Sequence, residues 1–502
     1  MNAPLLERYR ERIAGVLTCY DRIVITGTLP GACYAAGMTS FLNAQHIRIF
    51  DYPRFAEPLR DRIRANAEKL AAAAGVAIQY IAKAHIRKET VVAEVIKKRG
   101  DHPGLVHIIS VMEACSSYSA WHDKHTHQTY LRPKSGKCLH YYFYFIDAEL
   151  GLMYVRVPTW CPFRLQVYCN GHSWLARQLT AAGIDYVMAD NAFIRIDDWE
   201  RAQKLADSLS PDVLHRVLDR YAMQCCPILD VFNQTYHWSL MQIECSTDLT
   251  FRSEAIMKPL YEAISRQAIV SVKAPQVMHF LGKKMSPQLA QEVESRLSTR
   301  IEGTCIKHRL GKHSVKMYDK FGRVLRIETT TNDVAFFKHH RKVEHRDGHA
   351  SRELAAIKKS IYSLIDLREI LLGCNRRYLD FLSALDDFSA GTRCLNKLTT
   401  PKEIDGHRVK GFNFFDKTEH DLLCSLQHPE FNIRGVRRAD LKPFLTNLSV
   451  ASITRYLKRL RDFGLIKKVV GTYRYYLTHT GRNAIAAACR ITEQIITPAL
   501  AA

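Results

Sequence analysis

The sequence predicts a multidomain protein of the α/β plus α+β class: an N-terminal α/β region, a helical and basic β middle, and a small C-terminal module. Three observations carry that expectation. At 502 residues the chain exceeds the size at which a single hydrophobic core stops growing. Strand-like and helix-like apolar spacings alternate up to about residue 197 and then change character. From about residue 413 the chain shows short helices followed by a hairpin pattern.

Taken in order, Asp21–Thr28 reads as a buried strand closed by Gly27 and the Pro30-Gly31 pair. Ile47–Phe50 reads as a strand, Phe55–Ala74 as a helix, Ile78–Ile81 as a strand, Lys88–Lys98 as a helix and Leu105–Met112 as a strand. That spacing predicts parallel strands joined by crossover helices. Leu139–Ile146 and Leu152–Val157 form a hairpin, Phe163–Cys169 a third strand, Gly171–Ala182 a helix and Ile184–Ala189 another strand. This is the opening order of an RNase H-like sheet, and many α+β folds share it. Asp197 to about Ala290 reads as mainly helical, punctuated by Pro211, Pro227, Pro259 and Pro275. Strand signals return over residues 300–326, and a long helix or helix pair is expected from Ser351 to Leu385. Residues 390–411, with Gly391, Pro401, Gly406 and Gly411, read as a linker. The expected divisions are thus 1–197, 198–290, 291–346, 347–390, 391–412 and 413–502.

The last division is the most informative. Thr418–Leu426 and Ala439–Leu445 read as short helices. Ser449 is a helix-capping residue, and Val450, Ile453, Leu457, Leu460 and Phe463 recur at helical spacing behind it. Ser452, Arg455, Lys458 and Arg459 fall largely off that apolar stripe. Gly464 ends the helix, and Ile466–Val470 and Tyr473–Leu477 flank the Gly471-Thr472 break of a hairpin carrying Lys467, Lys468 and Arg474. Three helices and a basic hairpin, with the GLI…LT..G ending, resemble a winged helix-turn-helix of the MarR type. The resemblance implies one helix laid in the DNA major groove.

Composition agrees with a polyanionic partner. The formal net charge is +22, with 72 basic against 50 acidic residues. Because no apolar run approaches the length of a spanning helix, membrane binding is the weaker choice. The N-terminus also lacks a signal-peptide core, so a cytoplasmic protein is expected. The 14 cysteines include no CxxC pair, which favours buried reduced thiols over metal ligands or disulfides.

Residues 307–346 are the most basic on the chain, and Lys312, Lys316, Lys320 and Arg323 are candidate phosphate contacts there. Alternation puts Lys316 and Tyr318 on one strand face and Val315 and Met317 on the other, with Phe321-Gly322 as the turn. The wording KMYDK…LRIET over residues 314–329 resembles rolling-circle replication initiators, where a tyrosine attacks DNA beside metal-bound carboxylates. A sheet tyrosine packed on a helix is the expected role of Tyr318. Asp21, Glu113, Asp147 and Asp190 stand at strand ends, as two-metal phosphoryl transfer requires, and Asp147 and Asp190 are candidate ligands for Mg2+ or Mn2+. Arg156 and Arg164 flank the VPTWCPF turn as a further nucleic-acid cradle, near the helix start at Asn170-Gly171-His172. His122, His125 and His127 read as an exposed basic loop. Walker A, GxGxxG, GxSxG and HExxH motifs are absent. The chain is therefore expected to bind nucleic acid, DNA first and RNA second, as a mobile-element transposase- or nuclease-like protein. The alternatives are a non-enzymatic winged-helix regulator or an RNA-binding protein.

Overall fold

The computed structural model describes residues 4–83, 85–284, 286–300, 303–386 and 389–501. The chain divides into two compact units, 1–386 and 387–502. Among the described residues no helix is long and apolar enough to cross a membrane.

The first unit is built on one mixed sheet of eleven strands. In chain order the first thirteen strands of this unit are β1 (Ile13–Thr28), β2 (Ile78–Tyr80), β3 (Gly104–His122), β4 (Thr129–Asp147), β5 (Gly151–Pro158), β6 (Leu165–Cys169), β7 (Tyr186–Ala189), β8 (Ala192–Ile196), β9 (His237–Phe251), β10 (Val293–Arg300), β11 (Gly303–Leu310), β12 (His313–Lys320) and β13 (Val324–Thr331). The sheet runs β10-β11-β12-β13-β9-β1-β6-β5-β4-β3-β2, while β7 and β8 pair only with each other.

Several expectations change here. The predicted parallel arrangement with crossover helices is found in one place, where β2 and β3 run parallel across the Lys88–Arg99 helix, whereas β1 is antiparallel to both β6 and β9. A fully buried strand shows the same apolar run in either direction, so local spacing cannot set its polarity. Ile47–Phe50 is not a strand; a short 3-10 turn, Ile49–Asp51, leads into the Tyr52–Ala74 helix. After three antiparallel strands and a helix, the fourth strand, β7, leaves the sheet and forms a hairpin with β8. The stretch expected to be helical contains β9, a 15-residue strand in the middle of the sheet. Its period was present in Ile243, Cys245, Thr247, Leu249 and Phe251 but was outweighed by the proline-marked helices on either side. One sheet thereby crosses the expected divisions at 197 and 290. The helix expected from Ser351 begins at Leu364, after a hairpin of β14 (Lys338–Glu344) and β15 (Ala350–Ala356).

The sheet has two unlike faces in its β12–β13–β9 part. One is apolar, with Val315, Met317, Leu325, Ile327 and Leu249 packed in a core with Met257, Ile264 and Tyr378. The other carries the alternate residues, mostly polar, with Lys316, Arg326, Glu328, Glu244 and Asp248 among them.

In the second unit the expected linker is structured: a Ser389–Thr399 helix and a hairpin of β16 (Lys402–Ile404) and β17 (His407–Val409), with Leu398 and Phe412 in its core. Helices Lys417–Ser425, Pro429–Arg434 and Arg438–Leu441 precede the Val450–Asp462 helix, followed by β18 (Ile466–Lys468), β19 (Tyr475–Leu477) and the His479–Ile491 helix. The Ser449 hydroxyl accepts the Ser452 N–H at 3.1 Å, and Gly464 takes φ 74° at the stop. Ile453, Leu457, Leu460 and Phe463 pack on Leu422, Leu423, Leu441 and Ile485.

Candidate active site on the polar face of the sheet

Strand register decides which charges meet. Arg326 lies opposite Asp248, Glu328 opposite Ser246 and Thr330 opposite Glu244 in the β13–β9 pair. Across β12, Lys316 faces Glu328 and Tyr318 faces Arg326. Asp21 joins them through a fault in pairing: the β1–β9 register slips between Tyr20 and Arg22, leaving Asp21 as the extra residue. A bulge re-aims the side chain it carries. The carboxylate oxygens of Asp21, Glu244 and Glu328, from three adjacent strands, lie within 4.8 Å of one another, and all three residues are buried.

The surroundings hold these groups rigidly. Asp21 Oδ1 accepts from Asn191 Nδ2 at 2.6 Å and Asn170 Nδ2 at 3.3 Å, and it lies 3.2 Å from His172 Nδ1. Asn170 also caps the Gly171–Ala181 helix, which brings in His172. Arg326, fully buried, donates through Nε and Nη2 to the two oxygens of Asp248 at 2.7 and 2.6 Å and through Nη2 to the Asn191 carbonyl. Its Nη1 makes no hydrogen bond and stands 3.7 Å from Asp21 Oδ1. Lys316 Nζ donates to Glu328 and lies 3.5 Å from Glu244 Oε1, and the Tyr318 hydroxyl donates to Glu328 Oε2. Arg22, half exposed, stands at the rim 3.8 Å from Glu244.

The electrostatics follow from crowding. Burial pushes Glu244 upward, and the neighbouring Glu328 charge adds to it against Lys316, so the carboxyl sits at about 7. Burial also opposes ionisation of Asp21. There His172, Arg326 and Lys320 outweigh it and hold the carboxyl well below the usual range. Burial would lower Lys316, yet Glu328 and Glu244 raise it above its ordinary value. Burial and the Glu328 charge drive the Tyr318 phenol well upward. The site is thus three buried carboxylates with one lysine among them, a set of the hard oxygen ligands that divalent cations such as Mg2+ take.

Of the four strand-end carboxylates expected from sequence, Asp21 is the member found in this cluster. Among the described residues Glu113, Asp147 and Asp190 do not form a group of three metal-competent ligands with it. Glu113 is held by Lys88 at 3.0 Å, Tyr142 at 2.9 Å and Arg156 at 2.8 Å. Asp147 Oδ1 accepts the N–H groups of Glu149 and Leu150, both at 2.9 Å, while Oδ2 takes the Tyr221 hydroxyl and Arg220. Asp190 is exposed at the β7–β8 turn, 3.2 Å from Lys320. Strand ends are where Asp caps turns, which explains Asp147.

The basic candidates divide similarly. Lys316 and Lys320 are turned inward to carboxylates and Asn191 rather than outward to phosphate. Lys312 is exposed, and Arg323 Nε donates to the Phe251 carbonyl at 3.0 Å. Arg156 and Arg164 line one small cavity of about 150 Å³ with His140 and Trp160. Arg455, Lys458, Lys467 and Lys468 are exposed, Ser452 and Arg474 half-buried. Arg459 is drawn inward, 2.7 Å from Glu419 and over the Phe412 ring. His122, His125 and His127 lie at the β3–β4 hairpin end, where the Asp123 carboxylate caps the turn. Sequence reasoning missed Glu244, Glu328 and Asp248, and it named His172 only at the helix start beside the Arg156 and Arg164 cradle and Arg326 only as one of the basic residues of 307–346. The signal available for Glu328 was its place on the same alternating face as Arg326.

No family model matches the chain, and no curated protein matches it. A solved structure of class II 3-hydroxy-3-methylglutaryl-CoA reductase from Streptococcus pneumoniae, bound to NADPH, is similar at 9% identity over 89% of this chain and 78% of that one. Its TM-score of 0.14 is too low for that likeness to bear on fold or function.

Proposed function

We propose that the protein binds nucleic acid and acts on phosphodiester bonds with a hard divalent cation, Mg2+ or Mn2+, held by Asp21, Glu244 and Glu328. The convergence of these carboxylates from three neighbouring strands carries the reading. When bound, such an ion would polarise a phosphoryl oxygen and lower the pKa of a water molecule. The chain's own residues have distinct tasks. Arg326, fixed by Asp248, positions Asp21 and leaves one N–H pair for a further acceptor. Lys316 keeps Glu244 and Glu328 together and supplies positive charge beside the reacting phosphate. Arg22, at the rim beside Glu244 and half exposed, can turn to meet a phosphate oxygen.

The second unit supports the targeting half of the proposal. Its short helices, the Val450–Asp462 helix and the β18–β19 hairpin follow the order of a MarR-like winged helix, with Arg455, Lys458, Lys467 and Lys468 exposed for a duplex. The net charge of +22 supports a polyanionic partner, and DNA-processing of the transposase or nuclease kind uses both halves. The test is cleavage of duplex DNA, single-stranded DNA and RNA with Mg2+ or Mn2+. Wild type should nick or cut one of them, and Glu328→Gln and Asp21→Asn should not. Binding without cleavage, unchanged by either substitution, would instead support the regulator or RNA-binding alternative.

A further inference from the structure

A second group of ligands lies in the C-terminal unit, where the Lys417–Ser425 and His479–Ile491 helices pack together. His420 and Cys424 are four residues apart and so share one face of the first helix. Cys489 sits near the end of the second helix, and Glu493 follows four residues later in the Thr492–Ile496 π-turn. The nearest ligand atoms of His420, Cys424 and Cys489 all lie within 4.8 Å of one another. Cys424 Sγ is 2.7 Å from Cys489 Sγ, 3.7 Å from His420 Nε2 and 4.0 Å from Glu493 Oε1.

We propose that His420, Cys424 and Cys489 form a structural zinc site, with Glu493 completing the tetrahedron. Two sulfurs and an imidazole suit zinc and not the hard cations that an all-oxygen site attracts. Thiolates about 2.3 Å from a tetrahedral ion stand about 3.8 Å apart, so a small side-chain rotation opens the pair to admit one. The surrounding core gives the site its support: Leu422, Leu423 and Ile485 are all buried beside it. The spacing hides the site from sequence, since the ligands pair as HxxxC at 420–424 and CxxxE at 489–493, with no CxxC. Its effect would be to clasp two helices whose cysteines are 65 residues apart, in a unit with a small core of its own. The proposal is independent of the phosphodiester reading, because the two donor sets share no residue.

The full chain, purified without a metal-binding tag and freed of loose metal, should retain about one zinc per chain by elemental mass spectrometry. Cys424→Ser and Cys489→Ser should each lower that content at least ~10-fold, while Glu328→Gln keeps it. His420→Ala, which spares both sulfurs and the helix, should weaken zinc retention against a chelator. Cobalt exchanged into wild type should show thiolate-to-metal charge-transfer absorption and tetrahedral visible bands, a readout that needs no variant to fold. The proposal is overturned by a metal-free wild type that takes up no cobalt in this form, by a Cys424–Cys489 disulfide in the freshly purified chain, or by zinc that leaves with Glu328→Gln and stays in both cysteine variants.

Discussion

Asp147 and Asp21 are both buried carboxylates on strands of the same sheet, 3% and 7% exposed, and the chain uses them in opposite ways. Asp147 is satisfied: two turn N–H groups, a phenol and a guanidinium take both oxygens, and among the described residues no other carboxylate joins it in a metal-competent group. Asp21 is crowded. A bulge presses it against Glu244 and Glu328, and the nearest arginine keeps a nitrogen without an acceptor. A carboxylate that closes its own hydrogen bonds stabilises a turn. Asp21, beside two other carboxylates, stays charged because His172, Arg326 and Lys320 surround it, and Glu244 next to it bears the cost of the shared charge. Burial alone does not separate the two cases; the company each keeps does.

The largest expected effect lies on the Asp21 side. Arg326→Met removes the bidentate guanidinium from Asp248, leaving it His172 at 3.5 Å, and should cost about 3–5 kcal/mol in urea unfolding. Arg220→Met beside Asp147, at a half-exposed guanidinium, should cost less than about 1 kcal/mol. Equal losses would erase the distinction between the two carboxylates. Next in size is cation affinity by titration calorimetry. Glu328→Gln should weaken Mn2+ binding at least ~100-fold, or about 2.7 kcal/mol, whereas Asp147→Asn should change it less than about twofold. A comparable loss in Asp147→Asn would return Asp147 to the list of ligands.

Buried histidines extend the comparison to acid. His308, between Ser295 Oγ at 2.8 Å and Tyr378 OH at 3.1 Å, is pushed down to about 4 by burial. Its folded value is below the unfolded 6.5, so its neutral form contributes stability that is fully present above pH 6.5 and lost as pH falls toward 4. At pH 5 the cost is about 2 kcal/mol. His308→Phe should flatten that part of the pH–stability curve, and a curve identical to wild type would show that His308 does not titrate on unfolding. The smallest effect belongs to the C-terminal unit. Arg455→Ala and Lys458→Ala should each reduce the salt slope of duplex binding by about one, and Arg459→Ala should leave it unchanged because that guanidinium is spent on Glu419. An Arg459 effect equal to that of Arg455 would mean the internal contact opens on DNA.

What the sequence disclosed follows the range of each interaction. The 450–462 helix, its Ser449 cap and the Gly464 stop were legible because every part lies within a few residues of its partner. The 313–331 hairpin was legible too, including which residues share a face with Lys316. What Lys316 meets was legible only in part: Glu328 lies across that same hairpin, whereas Glu244 depends on β9 entering the sheet beside β13, a pairing that leaves no local trace. Asp21 was singled out as a strand-end acid, whereas it lies within a strand that begins at Ile13, at a bulge that only the β9 register defines. The small C-terminal core was underestimated for a different reason. Glycines and a proline around residues 391–411 resemble a linker, although Leu398 and Phe412 anchor that segment to the core.

The placement of β1 between β6 and β9 has a consequence for how the chain is made. Thr18 of β1 bonds Thr247 of β9 across 229 residues, so at roughly 5–20 residues per second the first strand waits on the order of ten to fifty seconds for its neighbour. During that interval β6 can cover one edge of β1, and the other stands open until the ribosome delivers β9. This long-range closure predicts slow folding and a nascent chain that relies on protection of that edge. It also means that any product truncated before Glu328 lacks the complete carboxylate triad, which tightly couples the proposed chemistry to completion of the sheet.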